Sequence, residues 1–162
     1  MAVFSAWLFD TPEGADRART ILKRAEAEQL GKILDSATVS WPEGAPSPTT
    51  THGHEETKRG AGWGAMFGVL VGALFFAPVV GAAAGAGVGA YTKRLNGVGI
   101  DDDQLARIKE AVVPGTSALF LVAEGVKSDR VAERLRGIRA KLLETNLSDA
   151  EAAAQFEGIE RL

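Results

Sequence analysis

The sequence contains no cysteine in its 162 residues. Disulfide bonds, thiolate metal sites and cysteine nucleophiles are therefore excluded. Histidine is scarce, with two residues, and 18 basic residues against 21 acidic ones give a formal net charge of −3. This mixed charge indicates neither a nucleic-acid-binding protein nor a strongly basic protein of the membrane surface. No basic region of a signal peptide precedes the first apolar residues, so we expect a cytoplasmic protein unless its middle associates with a membrane.

Charged side chains are also absent from the middle of the chain, between the basic pairs Lys58-Arg59 and Lys93-Arg94. This apolar segment, residues 60–92, is longer than the roughly 20 apolar residues that span a bilayer. A spacing of four residues places small side chains along one face of a helix and lets a second helix approach closely. The glycines recur at this spacing in two sets, Gly60, Gly64, Gly68 and Gly72, and then Gly81, Gly85 and Gly89.

Pro78 lies between the two glycine sets. Because proline interrupts a helix, we predict a glycine-zipper hairpin of two apolar helices that turns near Pro78. Aromatic residues just inside basic residues are typical of a membrane interface, although packing against the rest of the protein is an equal alternative for the two aromatics here. The predicted interface residues are Lys58, Arg59, Trp63, Tyr91, Lys93 and Arg94.

Strand and helix patterns alternate on both sides of the apolar segment. Before it we predict a strand at 3–9, a helix with Thr11 as N-cap that ends near Gly31, a strand at 33–41 and a loop at 42–57. After it we predict a short helix opened by Asp101, Asp102 and Asp103, a strand at 116–123 and a helix capped by Ser128 or Asp129. A strand at 141–147 and a terminal helix with a capping box at Ser148 complete the chain.

This order of elements indicates an α+β fold, a ferredoxin-like split βαβ sandwich. The glycine-zipper helical hairpin is inserted between its second and third strands. We therefore divide the chain into the first half of the domain (1–57), the hairpin (58–95) and the second half (96–162). Two helices cover one face of the predicted sheet. The terminal helix, the short acidic-capped helix or another subunit must cover the other.

Candidate chemical sites are few. The three aspartates at 101–103 favour a helix cap over a calcium site, since the ligand spacing of a calcium loop is missing. His52 and His54 with Glu55 and Glu56 suggest a metal site, but zinc needs further ligands placed by the fold, and a solvated loop is the simpler interpretation. No phosphate-binding loop or serine triad is visible. We predict no catalytic, cofactor or metal residues and no enzymatic activity.

Several segments carry a resemblance to a known family. They are the strand and helix start at Phe9-Asp10, the glycine-rich middle, residues 99–103, residues 114–120 and the late Leu147-Ser148. In these the chain resembles the bacterial domain of unknown function 1269 family, whose members are labelled putative membrane proteins, some linked to stress. The resemblance implies membrane association and supplies no catalytic residues.

The apolar segment must be buried in lipid or in copies of itself. Each arm has about 16 residues, or about 24 Å at 1.5 Å per residue, against a hydrocarbon core of about 30 Å. Both ends must lie on the same side, and their basic pairs make that side cytoplasmic. We expect a membrane-associated homo-oligomer in the bacterial inner membrane, with lipid and itself as partners and neither nucleic acid nor a small-molecule substrate.

Two alternatives remain open. A soluble ring or cage would bury the hairpins between its subunits in the cytoplasm. A small-ligand-binding module would instead use Trp7, Trp41 and Phe120 with a polar partner such as His52.

Overall fold

The computed structural model describes residues 3–52 and 99–162, which form a six-stranded sheet with four helices. The α+β class predicted from the sequence is confirmed. In chain order the elements are β1 (Val3–Phe9), α1 (Gly14–Ala27), β2 (Lys32–Trp41), β3 (Thr49–His52), α2 (Asp102–Ala111), β4 (Thr116–Glu124), α3 (Ser128–Arg136), β5 (Lys141–Thr145), α4 (Asp149–Gln155) and β6 (Glu160–Arg161).

The strands lie in the order β3-β2-β4-β1-β5-β6. Neighbours are antiparallel, except that β5 and β6 are parallel. β1 and β2 flank β4, and β4 and β5 flank β1, so each of the helices α1 and α3 connects two strands across an intervening one. Each half of the chain contributes three strands to one shared sheet.

Helices α1 and α3 cover one face of the sheet, here called the helix face. The apolar stripe of α1 is buried there at Ala15, Ala18, Leu22 and Ala25. Val131 and Leu135 of α3 pack into the same cluster, with Ile138 partly buried beside them. From the sheet this cluster receives Trp7, Phe9, Leu119, Leu121, Ala123 and Leu142.

Helix α2 packs against the opposite face, here called the α2 face. Ile108 is buried in its cluster, and Leu105 and Ala111 pack partly buried against it. Of the three covers considered from the sequence, the short acidic-capped helix therefore contributes to this face. Phe156, just after α4, instead packs on the helix face, where its ring meets that of Trp7 edge to face at 5.2 Å.

The start of α1 differs from the prediction. Thr11 is not the N-cap: the helix begins at Gly14, and Glu13 in the cap position makes no side-chain bond. The hydroxyl of Ser117 in β4 takes over this role, because its Oγ accepts from Ala15 N at 2.9 Å and donates to Thr11 O at 2.6 Å. A distant strand therefore sets this helix start. Likewise, Lys127 rather than Ser128 or Asp129 occupies the cap position of α3.

The end of α1 also differs. Gly31 was predicted to stop the helix, but Gln29 adopts the left-handed conformation, with φ of 59°. The amide of Leu30 donates to Ala25 O and that of Gln29 to Glu26 O, both at 2.9 Å, which is a Schellman motif. Helix α3 ends in the same way, with Arg139 at φ 54° and Ala140 N donating to Leu135 O.

Two edge strands were not predicted. Residues 42–57 were expected to form a loop, but Thr49–His52 pairs with β2 as β3. Its three threonines are β-branched and favour a strand, a local signal that the neighbouring prolines obscured. At the other edge, Glu160–Arg161 pairs with β5 as β6. The capping boxes at Asp101 and Ser148 are confirmed, with Gln104 and Glu151 as their partners.

Replacement of Ser117 by alanine is expected to lower the free energy of unfolding by about 1–3 kcal/mol, because Ala15 N and Thr11 O lose their buried partner. Denaturant unfolding followed by circular dichroism measures this change. The exposed Ser47→Ala variant is the matched control and should change little. Equal effects of the two substitutions would contradict the capping role of Ser117.

Replacement of Gln29 by glycine is expected to raise the free energy of unfolding by about 0.5–1 kcal/mol, because glycine adopts a positive φ without the steric cost of a side chain. The control is Ala27→Gly at the last helical position, which should lower it by a similar amount. Thermal unfolding of both variants gives the sign of each change in stability. A loss of stability in Gln29→Gly would contradict a steric cost at Gln29.

Candidate functional site

The residues predicted to pack the hairpin and to meet a membrane lie outside the described residues. These are the seven glycines from Gly60 to Gly89, the turn residue Pro78, and Lys58, Arg59, Trp63, Tyr91, Lys93 and Arg94, together with His54, Glu55 and Glu56 of the suggested metal loop. Within residues 3–52 and 99–162, no helix is long and apolar enough to cross a membrane. The same residues contain no cluster of three acidic or histidine side chains that would hold a metal ion.

Residues 53–98 join the described part of the chain at His52 and at Gly99. We call these two residues the attachment points, and both lie toward one end of the sheet. β3 runs from Thr49, opposite Ser40, to His52, opposite Ala37, and so is directed toward the start of β2. Val3 of β1, Lys32 of β2 and Glu124 of β4 lie at that end, which we call the attachment end.

Gly99 reaches the attachment end from the other edge of the sheet. A Cβ built on it would lie 3.5 Å from the Cβ of Asn146, which follows β5. The amide of Phe4 in β1 donates to Asn146 Oδ1 at 2.9 Å. Because β3 and β5 are separated by four strand spacings of 4.7–4.9 Å, the two attachment points are about 19 Å apart across the sheet.

The second attachment point continues directly into buried structure. Gly99 has φ of 85°, a conformation that glycine adopts without strain. The next residue, Ile100, is fully buried in the cluster of the α2 face. Asp101 then caps α2, accepting from Gln104 N at 2.8 Å, while Asp101 N donates to Gln104 Oε1 at 3.0 Å.

A polar network joins α2 to β5. Gln104 Nε2 donates to Glu144 Oε2 at 2.9 Å and to Thr145 O at 3.1 Å. Arg107 Nε donates to Glu144 Oε1. The Glu144 side chain is only 10% exposed, and its hydrogen bond and charge raise the pKa of Arg107 above its usual value. Both carboxylate oxygens of Glu144 therefore hold α2 in place.

A bulge in β5 explains why the sequence did not reveal this network. Leu142 lies opposite Trp7, but Glu144 lies opposite Ala6 because the register shifts between these two pairs. Simple alternation would put Glu144 on the same face as Leu142. The shift instead puts it on the α2 face, some 40 residues from Gln104 in sequence, and no local pattern signals that.

An apolar cavity of about 40 Å³ lies between the helix face of the sheet and helices α1 and α3. Its lining is mainly apolar, and the indole Nε1 of Trp7 donates to Ser5 Oγ at 2.8 Å. The apolar residues of its wall include Trp7, Leu22, Ala25, Leu121, Ala123, Val131, Ala132 and Leu135.

The cavity reaches the surface at the attachment end. Gly31, Lys32, Ile33 and Val126 line it there, and Val126 would lie 3.1 Å from a Cβ on Gly31. The carboxylate of Glu26 beside them is engaged, since its Oε1 accepts from Ile33 N at 2.8 Å.

The ligand pocket suggested from Trp7, Trp41 and Phe120 is not formed by these three residues. Trp7 lies on the helix face, whereas Trp41 and Phe120 pack in the cluster of the α2 face. The sheet separates them, so this grouping was wrong. Trp7 lines the cavity with α1 and α3 residues instead, and His52 ends β3 with its backbone paired to Ala37.

Two further carboxylates have structural partners. Arg134 Nη2 donates to Glu28 Oε2 at 2.6 Å between α3 and α1, and this hydrogen bond lowers the pKa of Glu28. The hydroxyl and amide of Ser148 lower the pKa of Glu151 in the cap of α4. Both carboxylates fix helices and lie outside the cavity wall.

Replacement of Glu144 by glutamine is expected to free α2 locally. An amide retains one acceptor oxygen but points a donor at either Gln104 Nε2 or Arg107 Nε, so one charge-assisted bond is lost. Hydrogen exchange of residues 102–111 should accelerate. The exposed Glu110→Gln substitution on the same helix is the control, and unchanged exchange in Glu144→Gln would refute the network's role.

Comparison with known proteins identifies a family. The family described as "Protein of unknown function (DUF1269)" matches residues 61–158. No curated protein and no solved structure matches the chain. The family match spans more than half of the sequence and includes α2, β4, α3, β5 and all of α4. The resemblance seen in the sequence is therefore confirmed, and the chain belongs to the DUF1269 family.

Proposed function

We propose that the protein is a non-enzymatic, membrane-associated homo-oligomer with a structural or stress-related role. In this proposal a ferredoxin-like head is anchored by the glycine-zipper hairpin of residues 60–92. The observation that carries it is the position of the two attachment points, which lie toward the same end of the sheet. A segment that leaves and returns at one end of a domain can insert as a hairpin, whereas a single spanning helix would separate its ends.

The distances are compatible with this hairpin. Residues 53–59 and 93–98 connect the head to the apolar segment, and at about 3.3–3.6 Å per residue each connection reaches on the order of 20 Å. The attachment points are about 19 Å apart, and packed helices lie about 8–10 Å apart. Both connections are therefore long enough to bring two zipper helices into contact.

The head itself offers little apolar surface for association. Among the described residues, the large hydrophobic side chains that are exposed are Val113 and Leu162. Two such residues do not make the contiguous apolar patch typical of a stable protein interface. This supports assigning self-assembly to the apolar segment, whose glycines at four-residue spacing favour close helix packing.

Charge supports the membrane orientation. The basic pairs Lys58-Arg59 and Lys93-Arg94 flank the segment on the side of the head. Under the positive-inside rule this side is the cytoplasm, with the hairpin in the bacterial inner membrane. The alternative is a soluble cytoplasmic ring or cage, favoured by the short arms of about 24 Å and their high content of alanine and glycine.

The proposal predicts that Gly68→Leu combined with Gly85→Leu weakens assembly, because leucine side chains keep the zipper helices apart. Light scattering of the purified protein should show a smaller oligomer with the circular dichroism of the head retained. The matched control is Ala73→Leu with Ala83→Leu, which adds leucines outside the four-residue register. An unchanged oligomer in the glycine variant would contradict the zipper.

Fractionation of a detergent-free lysate distinguishes the two environments. Protein in the carbonate-resistant membrane pellet supports burial of residues 60–92 in lipid. A large particle found wholly in the supernatant supports the ring or cage and contradicts the membrane anchor.

A further inference from the structure

We propose that the apolar cavity between the sheet and helices α1 and α3 binds the end of a lipid acyl chain. The inference rests on the proposed membrane association for the source of the chain, but not for the existence of the site. Its starting point is position: the cavity reaches the surface beside Gly31, Lys32 and Val126, at the attachment end of the sheet. A hairpin inserted in a bilayer holds that end of the head nearest the lipid.

The chemistry of the wall selects an alkyl group. Most of the lining side chains are aliphatic or aromatic, and polar groups beside the indole and at the entrance make hydrogen bonds. Trp7 Nε1 donates to Ser5 Oγ, and Glu26 Oε1 accepts from Ile33 N. The polar lining residues Ser5, Glu26, Lys32 and Gln155 are few against the apolar ones, and a cavity lined mainly by apolar side chains stays dry.

The size of the cavity sets the length of the chain. A water-sized group needs roughly 10–15 Å³ of such space, so about 40 Å³ accepts about three methylene-sized groups. Drug-sized ligands occupy pockets of about 300–1,000 Å³ and are excluded. The occupant is thus the tip of a single unbranched chain, with the remainder of the molecule outside.

The entrance is itself apolar. Val3, Ile33, Val126 and Phe156 are each half-buried around the cavity, so one part of each side chain faces inward and another faces solvent. A chain that passes them covers this surface as well as filling the interior. Lys32 lies exposed at the same entrance.

The fluorescence of Trp7 can report binding, because Trp7 lines the cavity and is 1% exposed to solvent. In a Trp41→Phe, Trp63→Phe background it is the remaining tryptophan. Bromine quenches indole emission at contact, and a deeply buried indole is shielded from quenchers in bulk water. Bromine-terminated hexanoate in vesicle-free buffer, and phosphatidylglycerol vesicles brominated near the acyl terminus, should each cause a saturable loss of most of the Trp7 emission.

Blocking and control variants make the result specific. Ala123→Val adds two methyl groups to the cavity wall from β4, where a β-branched residue suits the strand, so the melting temperature should be kept while quenching falls severalfold. Ala111→Val adds the same groups at a partly buried position against the α2 face and should leave quenching intact. Equal quenching in both variants would overturn the site, since bromine would then be acting without entering the cavity.

The remaining outcomes separate the inference from the proposed function. Unchanged emission with brominated hexanoate overturns the cavity as an alkyl site, whatever the protein does with membranes. Quenching by hexanoate, with vesicles that bind the protein but do not quench Trp7, overturns the lipid as occupant. Failure of the protein to sediment with vesicles contradicts the proposed membrane association, while saturable hexanoate quenching sensitive to Ala123→Val still supports the site.

Discussion

The antiparallel pairing of β1 with β4 is the contact on which the rest of the structure depends. It joins Val3–Phe9 to Thr116–Glu124 through seven residue pairs and so closes a loop of more than 100 residues around the whole inserted region. Both strands are buried on both faces, so neither half of the chain has a complete core without the other. Because loop-closure entropy grows only logarithmically, by about 0.6 kcal/mol for each doubling of length, a long insertion between the halves is tolerated once this pairing forms.

Local features of this fold could be predicted and tertiary ones could not. The central strands, the apolar stripe of α1 and the capping boxes at Asp101 and Ser148 follow from neighbouring residues. The true partner of the α1 start, Ser117, is 102 residues from Ala15 in sequence. The turn at Gln29 was missed for a different reason. Glutamine is not a residue type that favours a positive φ, and here the hydrogen bonds of the motif and the burial of Leu30 stabilise that conformation.

The candidate site also depends on tertiary features that the sequence does not reveal. Trp7 lies in the short, mainly apolar β1, which carries no alternation that assigns its side chain to a face, whereas Trp41 ends the longer and more polar β2. Only the register separates them, since Trp7 pairs with Leu119 whereas Trp41 pairs with Thr116, an odd number of residues away on β4. The cavity needs three elements, α1, α3 and the sheet, and its small residues Ala25, Ala123 and Ala132 look like ordinary core positions in the sequence.

The two faces of the sheet differ in structure at the attachment end. On the α2 face, the chain that returns at Gly99 is fixed at once by Ile100, by the Asp101 cap and by the bonds of Gln104 and Arg107 to Glu144. On the helix face, the same end is left open beside Gly31 and Val126, above a mainly apolar interior. One end of the sheet therefore carries a fixed return of the chain on one face and the opening of an apolar cavity on the other, and both features come from residues distant in sequence.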